Sequence, residues 1–263
     1  MHKGAFWSIL QVLMDPRARS IQRLFSRISR PYDCFNHVFS LGIDLWWRHH
    51  FVSRVARPLP GDRILDLATG SGDVALALSR RGACVVGADF CLPMLERARA
   101  KGVAHLVAAD GLQLPFGDKT FDVVTIAFGF RNFTDRPRGL REMFRVLRPG
   151  GRLAILEFSQ PHACVRPFYR FYLEQVMPRA TAFLAGERSA YEHLADTVRE
   201  FPDQAALAEM IRAEGFEDVT WRDYTFGIAA AHLARRPLSG GSRVSPQPPR
   251  EKVQSCPHAP SDG

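Results

Sequence analysis

Three aspartates and a glycine turn hold the chemistry for which this chain can be read. Asp66 sits in the apolar run Ile64-Leu65-Asp66-Leu67, Asp89 ends the run Cys84–Ala88, and Asp110 follows the run His105–Ala108. Gly70-Ser71-Gly72 comes directly after the first run. A helical pattern with Val74, Leu76, Ala77 and Leu78 then begins. That order reads as a buried strand, a tight turn and a helix N-terminus. Such a turn lets a ligand approach the backbone and leaves N–H groups to meet it. Asp89 stands where an acidic side chain, about 20 residues past the turn, reaches ribose hydroxyls. One such aspartate would be equally well explained as a helix cap. Three on successive runs, beside a glycine turn, point to a nucleoside-bearing ligand.

The elements that must position these residues alternate. Strands are predicted at 63–68, 84–88, 105–108, 121–126 and 152–156. Helices are predicted at 73–81, 92–101 and 136–147, the last stopped by Pro149-Gly150-Gly151. Alternation of this kind makes right-handed crossovers and a parallel sheet. Helical segments follow at 166–177, 188–200 and 203–214. The runs 218–225 and 228–235, joined by Phe226-Gly227, read as a hairpin. The predicted fold class is therefore α/β: a mostly parallel seven-stranded sheet with an antiparallel edge hairpin and helices on both faces. Open sheets of this kind bind ligands at the carboxyl ends of their strands. Asp66, the glycine turn, Asp89, Asp110 and the stretch Thr125–Asn132 all fall there.

Upstream, Ile21, Leu24, Phe25 and Ile28 have one-faced helical spacing. Trp46-Trp47-Arg48 lead into a second helix that Pro58 and Pro60 close. This segment reads either as a lid over a pocket or as a cap on the core. The predicted organisation is an N-terminal extension (1–16), one domain (17–236, with 17–60 as a helical cap) and a tail (237–263). The tail is rich in Pro, Gly and Ser and is expected to be disordered.

The bulk numbers exclude several classes. With 46% hydrophobic and 24% charged residues, the composition is that of a globular protein. No apolar run is long enough to cross a membrane. The apolar stretch 5–14 lacks a cleavage site, so no signal peptide is expected. The net charge of +8 is uneven, with residues 1–60 at +6, 235–263 at +3 and 61–234 at −1. A neutral core argues against nucleic acid, which wants a basic stripe on the folded domain. Basic ends fit an anionic membrane surface better. Five cysteines without a C-x-x-C suggest neither a disulfide framework nor a metal site. A reducing cytoplasm, with visits to the inner face of the membrane, is the expected setting.

Gly70-x-Gly72-x-x-Ala75 formally satisfies a dinucleotide pattern, so an NAD-dependent oxidoreductase is a competing reading. Against it, the chain turns to an antiparallel hairpin instead of a second mononucleotide half. A ligand with one nucleoside and no pyrophosphate fits better.

Leu65-Asp-Leu-Ala-Thr-Gly-Ser-Gly-Asp73 resembles the glycine motif of class I S-adenosylmethionine-dependent methyltransferases. Further segments are similar to one family within that class. They are Tyr32-Asp-x-x-Asn36, Ser40-Leu-Gly42 with Trp47-Arg48, Leu114-Pro-Phe-x-Asp118 with Phe121-Asp122, and Phe128-Gly-Phe-Arg-Asn132. Arg145–Arg152, Leu156-Glu-Phe-Ser159 with Pro161, and Phe201-Pro202 extend the likeness. The family is that of the ubiquinone/menaquinone biosynthesis C-methyltransferases.

The resemblance implies carbon methylation of a polyprenylated hydroquinone, with demethylmenaquinol as the foremost substrate and S-adenosyl-L-methionine as cofactor. Ser71, Asp89, Asp110 with Gly111, and Ala127 stand where the family contacts that cofactor, beside Asp66, Gly70 and Gly72. Ser71 replaces the usual Thr and keeps its hydroxyl. Ala127 replaces a common Ser and loses one. Residues 179–197 diverge, with Tyr191-Glu-His-Leu-Ala-Asp-Thr197 in place of the family's Tyr-x-Tyr-Leu-x-x-Ser.

A phenolic hydroxyl has a pKa of about 10, so an anion stabiliser or a general base helps at neutral pH. Arg131 is the candidate for the phenolate, and Asp110 and Tyr32 for moving the proton. His193 is an alternative base, with a structural role as its plainer reading. Phe128 and Asn132 are candidate substrate contacts. Phe168, Phe171, Leu173, Val176, Phe183 and Leu184 read either as a channel for the isoprenoid tail or as helix packing. Expected partners are the quinol and, transiently, the membrane surface, with room for a homodimer or a quinone-biosynthesis complex. Competing functions are methylation of another small phenol and nonenzymatic binding of S-adenosylmethionine.

Overall fold

The computed structural model describes Ser40, residues 42–176 and residues 188–238. Seven strands form one sheet: β1 (Arg63–Leu67), β2 (Cys84–Asp89), β3 (His105–Ala108), β4 (Phe121–Ala127), β5 (Leu147–Phe158), β6 (Glu217–Tyr224) and β7 (Ala229–Arg235). Their order is β3-β2-β1-β4-β5-β7-β6. The first five are parallel, and β7 pairs antiparallel with both β5 and β6. β1 lies between β2 and β4, so the strand order reverses beside it. Doubly wound folds place a ligand at such a point.

Period-two patterning explains why both faces are covered. Leu65, Leu67, Val124 and Ile126 pack on one side against Leu140 and Met143 of α4 (Arg136–Val146) and Leu207 and Ile211 of α7 (Gln204–Ala213). Ile64, Val85 and Val123 point the other way. There they meet Val74 and Leu78 of α2 (Asp73–Ser79) and Ala98 of α3 (Leu92–Ala100). Trp47 of α1 (Ile43–His50) and Phe51 and Val55 of the following π-helix (Phe51–Ala56) complete that layer. The described part of the N-terminal segment thus caps the core.

The expected seven strands and edge hairpin are present, with some boundaries moved. The predicted second helix is α-helical and then π-helical, ending where the Arg57 N–H bonds to the Val52 carbonyl and Arg57 turns left-handed (φ 44°). Pro149-Gly150-Gly151 does not stop α4 before a loop, because β5 begins at Leu147 and the pairing with β4 shifts register there. The 166–177 segment is α5 (Arg166–Phe171) continued by a π-helix (Tyr172–Val176). α6 spans Arg188–Arg199. Cys84 is disulfide-bonded, a bridge that the spacing of the cysteines did not suggest; Cys91 and Cys164 are free. The extension, the first predicted helix with Tyr32, Phe183, Leu184 and nearly all of the tail lie outside the described residues.

Candidate active site

The turn after β1 is built from left-handed residues. Ala68 (φ 51°), Gly70 (φ 55°) and Gly72 (φ 87°) alternate with ordinary ones. The two glycines have different reasons. A Cβ on Gly72 would come within 2.6 Å of Val103 and 3.0 Å of Ala98, so Gly72 lets α2 start against α3. A Cβ on Gly70 would meet nothing within 4 Å. The space over Gly70 is open, which is what a ligand lying along the backbone requires.

Asp89 ends β2 beside that space. Its carboxylate is buried and accepts from the Gly70 N–H (2.9 Å) and the Cys91 N–H (2.8 Å). Burial pushes its pKa up to about 6, against the pull of those hydrogen bonds. A carboxylate has about four acceptor positions, so capacity remains for a ligand hydroxyl. Asp66 is spent differently. Its oxygens accept from the Thr125 hydroxyl (2.7 Å) and the Thr69 hydroxyl (2.6 Å), fastening β1 to β4 and to the turn. Burial raises its pKa as well, to about 6. Asp66 therefore shapes the turn more than it faces a ligand.

The remaining predicted cofactor residues gather at the same edge. The Ser71 hydroxyl accepts from Lys101 Nζ (3.0 Å), which also pairs with Asp73 (2.6 Å). Asp110 is half-buried and accepts from the Leu112 N–H (2.9 Å), while Ala127 closes β4. Gly111 has a packing reason that the sequence did not reveal: a Cβ there would strike the Phe133 ring. The same ring lies against Gly139, so Phe133 is held between two glycines.

Beyond β4 the backbone is strained. Phe128 is left-handed (φ 57°), and Gly129 has no Cβ to strike Ala68. Non-glycine residues in this region are uncommon and gather at functional sites. The Phe128 ring lies 4.9 Å from the ring of Phe158 and 6.1 Å from that of Trp47, with Arg48 5.3 Å from its centroid. Phe130–Asn132 then form a 3-10 turn.

Arg131 is buried in that turn. Its Nη1 pairs with Glu157 Oε1 (2.7 Å) and donates to the Phe128 carbonyl, and its backbone N–H reaches Glu157 Oε2 (3.1 Å). One donor, Nε, is buried without a hydrogen-bond partner. Glu157, quoted in the sequence only as part of Leu156–Ser159 and given no role there, thus pins both the main chain and the side chain of Arg131. The signal was there: Glu157 interrupts an apolar central strand. Asn132 Oδ1 meets His193 Nε2 (3.0 Å). Arg131, Asn132, His193 and Thr197 line a cleft of about 420 Å³ between this turn and α6. The structure thus brings Asp66, the glycine turn, Asp89, Asp110, Gly111, Ala127, Phe128, Arg131 and Asn132 to one edge of the sheet. It adds His193. Phe168 and Phe171 lie outside the core, being 76% and 64% exposed.

A seven-stranded sheet in this order, with an open glycine turn at the reversal point, defines a Rossmann-like methyltransferase architecture. An S-adenosylmethionine-dependent methyltransferase from Thermotoga maritima superposes with a TM-score of 0.60 at 19% identity, covering 81% of this chain and 98% of the other. The chain belongs to the ubiE/COQ5 methyltransferase family, whose model matches residues 12–236. Among curated relatives, the demethylmenaquinone methyltransferase of Thermus thermophilus is 47% identical over 222 residues, covering 81% of this chain and all of the relative. That of Corynebacterium kroppenstedtii is 43% identical over 225 residues, covering 85% and 97%.

Proposed function

We propose that the protein transfers a methyl group from S-adenosyl-L-methionine to a ring carbon of demethylmenaquinol. One observation carries the reading. The open glycine turn with Asp89 and the Arg131–Asn132 cleft stand at the same carboxyl edge, on either side of β4. The relatives with this activity match nearly their whole length. When bound, S-adenosylmethionine supplies an activated methyl, so the protein's part is to bind, orient and exclude water.

Each residue then has a task. Gly70 leaves room for the cofactor along the backbone, and Asp89 accepts its ribose hydroxyls. Asp110, Gly111 and Ala127 border the adenine side. Phe128, Phe158 and Trp47 make an apolar wall that keeps water from the quinol ring. A ring hydroxyl with a pKa of about 10 must lose its proton to make the neighbouring carbon nucleophilic. Arg131 stabilises the resulting oxyanion. Its unpartnered Nε costs about 1–3 kcal/mol when left unsatisfied, a cost that a ring oxygen relieves. Asn132 holds the second ring oxygen, with His193 donating to Oδ1 and so fixing which way the amide points. Asp110, Tyr32 and His193 are the candidates for moving the proton.

The quinol's tail stays in the bilayer, so the enzyme works at a membrane surface. Among the described residues no helix is long and apolar enough to cross one. Calorimetric titration tests the cofactor reading: S-adenosylhomocysteine binds and NAD does not. Arg131→Ala should keep that binding and lose turnover by about 100-fold or more. Unchanged turnover would remove the phenolate role.

A further inference from the structure

Nine large apolar side chains are exposed among the described residues: Ile43, Leu45, Trp46, Leu59, Phe168, Phe171, Trp221, Phe226 and Leu238. Six of them lie on three segments, of which the β6–β7 turn adjoins the other two. Ile43, Leu45 and Trp46 are on α1, Phe226 is in the β6–β7 turn, and Phe168 and Phe171 are on α5. Trp47 Nε1 on α1 donates to Thr225 Oγ1 in the turn (3.0 Å). The Trp46 ring meets Tyr224 edge-on at 5.6 Å. The His162 N–H, just before α5, donates to the Phe226 carbonyl (2.9 Å). These contacts join the three segments into one rim that carries the six side chains. This rim runs along the substrate edge of the sheet. Tyr172 and Leu173, which continue α5, pack against Ala195 on α6, the helix that presents His193 to the cleft.

Basic groups flank the rim at both ends. Arg166 and Arg170 are exposed on α5. Beside Trp46, whose ring lies 5.5 Å from that of His50, a cavity of about 540 Å³ is lined by His50, Ser53, Arg54, Arg57 and Arg222. Among the described residues no carboxylate lines it. Burial, with the positive field of Arg222 and Arg54 added, lowers the His50 pKa.

We propose that this rim docks the enzyme on an anionic phospholipid bilayer, with the arginine cavity taking a lipid phosphate. Exposed aromatics interleaved with arginines suit the headgroup region, where rings insert and guanidiniums meet phosphates. A second copy of this chain fits worse, because a symmetric contact would press the same arginines together. The inference rests on the quinol reading for its purpose, since docking there sets the cleft against the membrane that holds the tail.

Vesicle flotation of the full chain tests it, with phosphatidylcholine alone and with added phosphatidylglycerol. The wild type should float with the anionic vesicles and far less with neutral ones. Phe168→Ser with Phe171→Ser, and separately Arg54→Glu with Arg222→Glu, should each cut anionic partition by about tenfold or more. Both pairs are surface changes, and an unchanged thermal midpoint confirms that they fold. Their turnover on a tail-less, water-soluble quinol should stay at the wild-type level, while the apparent KM for vesicle-borne quinol rises. Equal partition of variants and wild type overturns the proposal, as does a shift from dimer to monomer without loss of vesicle binding. Competition by inorganic phosphate in the absence of vesicle binding also overturns it, assigning the cavity to a free anion. Loss of partition in variants of a protein that methylates no quinol would leave the docking intact and sink the substrate reading instead.

Discussion

At the residue scale, two buried aspartates and one buried ion pair decide the behaviour of the site. Asp89 and Asp66 both have pKa values raised from 3.8 to about 6 by burial. An acid raised on folding favours the fold at low pH. Its benefit is complete below the unfolded value near 3.8 and is lost as pH rises through about 6. On the proposed reading binding runs the other way, because a carboxylate accepts ribose hydroxyls best when ionised. S-adenosylhomocysteine affinity measured by calorimetry should therefore weaken as pH falls through about 6. Asp89→Asn should bind weakly and with a flatter pH profile; a profile unchanged by that substitution would release Asp89 from the role. The Arg131–Glu157 pair is nearly inaccessible, with side chains 4% and 1% exposed. Removing one partner leaves the other charge buried, so Glu157→Ala should cost about 3–5 kcal/mol in urea unfolding. The double variant with Arg131→Ala should cost less than the sum of the two singles.

At the element scale, the site depends on close approach between segments far apart in sequence. Phe133 is seated between Gly111 and Gly139, and it anchors the turn that holds Arg131 and Asn132. Gly111→Ala should destabilise by about 1–3 kcal/mol through overpacking. Adding Phe133→Leu should recover part of that loss in the same thermal melt; no recovery would mean that the ring is not what Gly111 accommodates. The alternating strands and helices were legible because period-two and helical spacing are local signals. The aspartates at strand ends were legible for the same reason. What the sequence hid was non-local. Glu157 reads as one acid in a strand until Arg131 is folded against it. Gly111 reads only as a cofactor contact, and its packing role under the Phe133 ring shows only in the fold. The start of β5 was masked by Pro149-Gly150-Gly151, whose turn chemistry argues for a break while β4 and β7 supply pairing on both sides. The π-helix after α1 has no sequence signature, because it follows from where Arg57 turns left-handed before Pro58.

At the scale of the whole molecule, the sheet separates two jobs across β4. The β1–β3 side makes the glycine turn and the Asp89 site. The β4–β5 side, with α6, makes the Arg131–Asn132 cleft. The exposed aromatic rim lies beyond that cleft, on α1, the β6–β7 turn and α5. On the proposed reading, a methyl donor and a lipid-borne acceptor arrive from different sides and meet at one strand end. The antiparallel hairpin matters here, since β6 and β7 close the sheet where a dinucleotide fold would place a second nucleotide half. The most direct measurement is methyl transfer from isotopically labelled S-adenosylmethionine to demethylmenaquinol, with the product position read by NMR. Ring-carbon methylation predicts label on a ring carbon and loss of product in Arg131→Ala. Label on oxygen, or turnover of unrelated phenols with no product from the quinol, would contradict it.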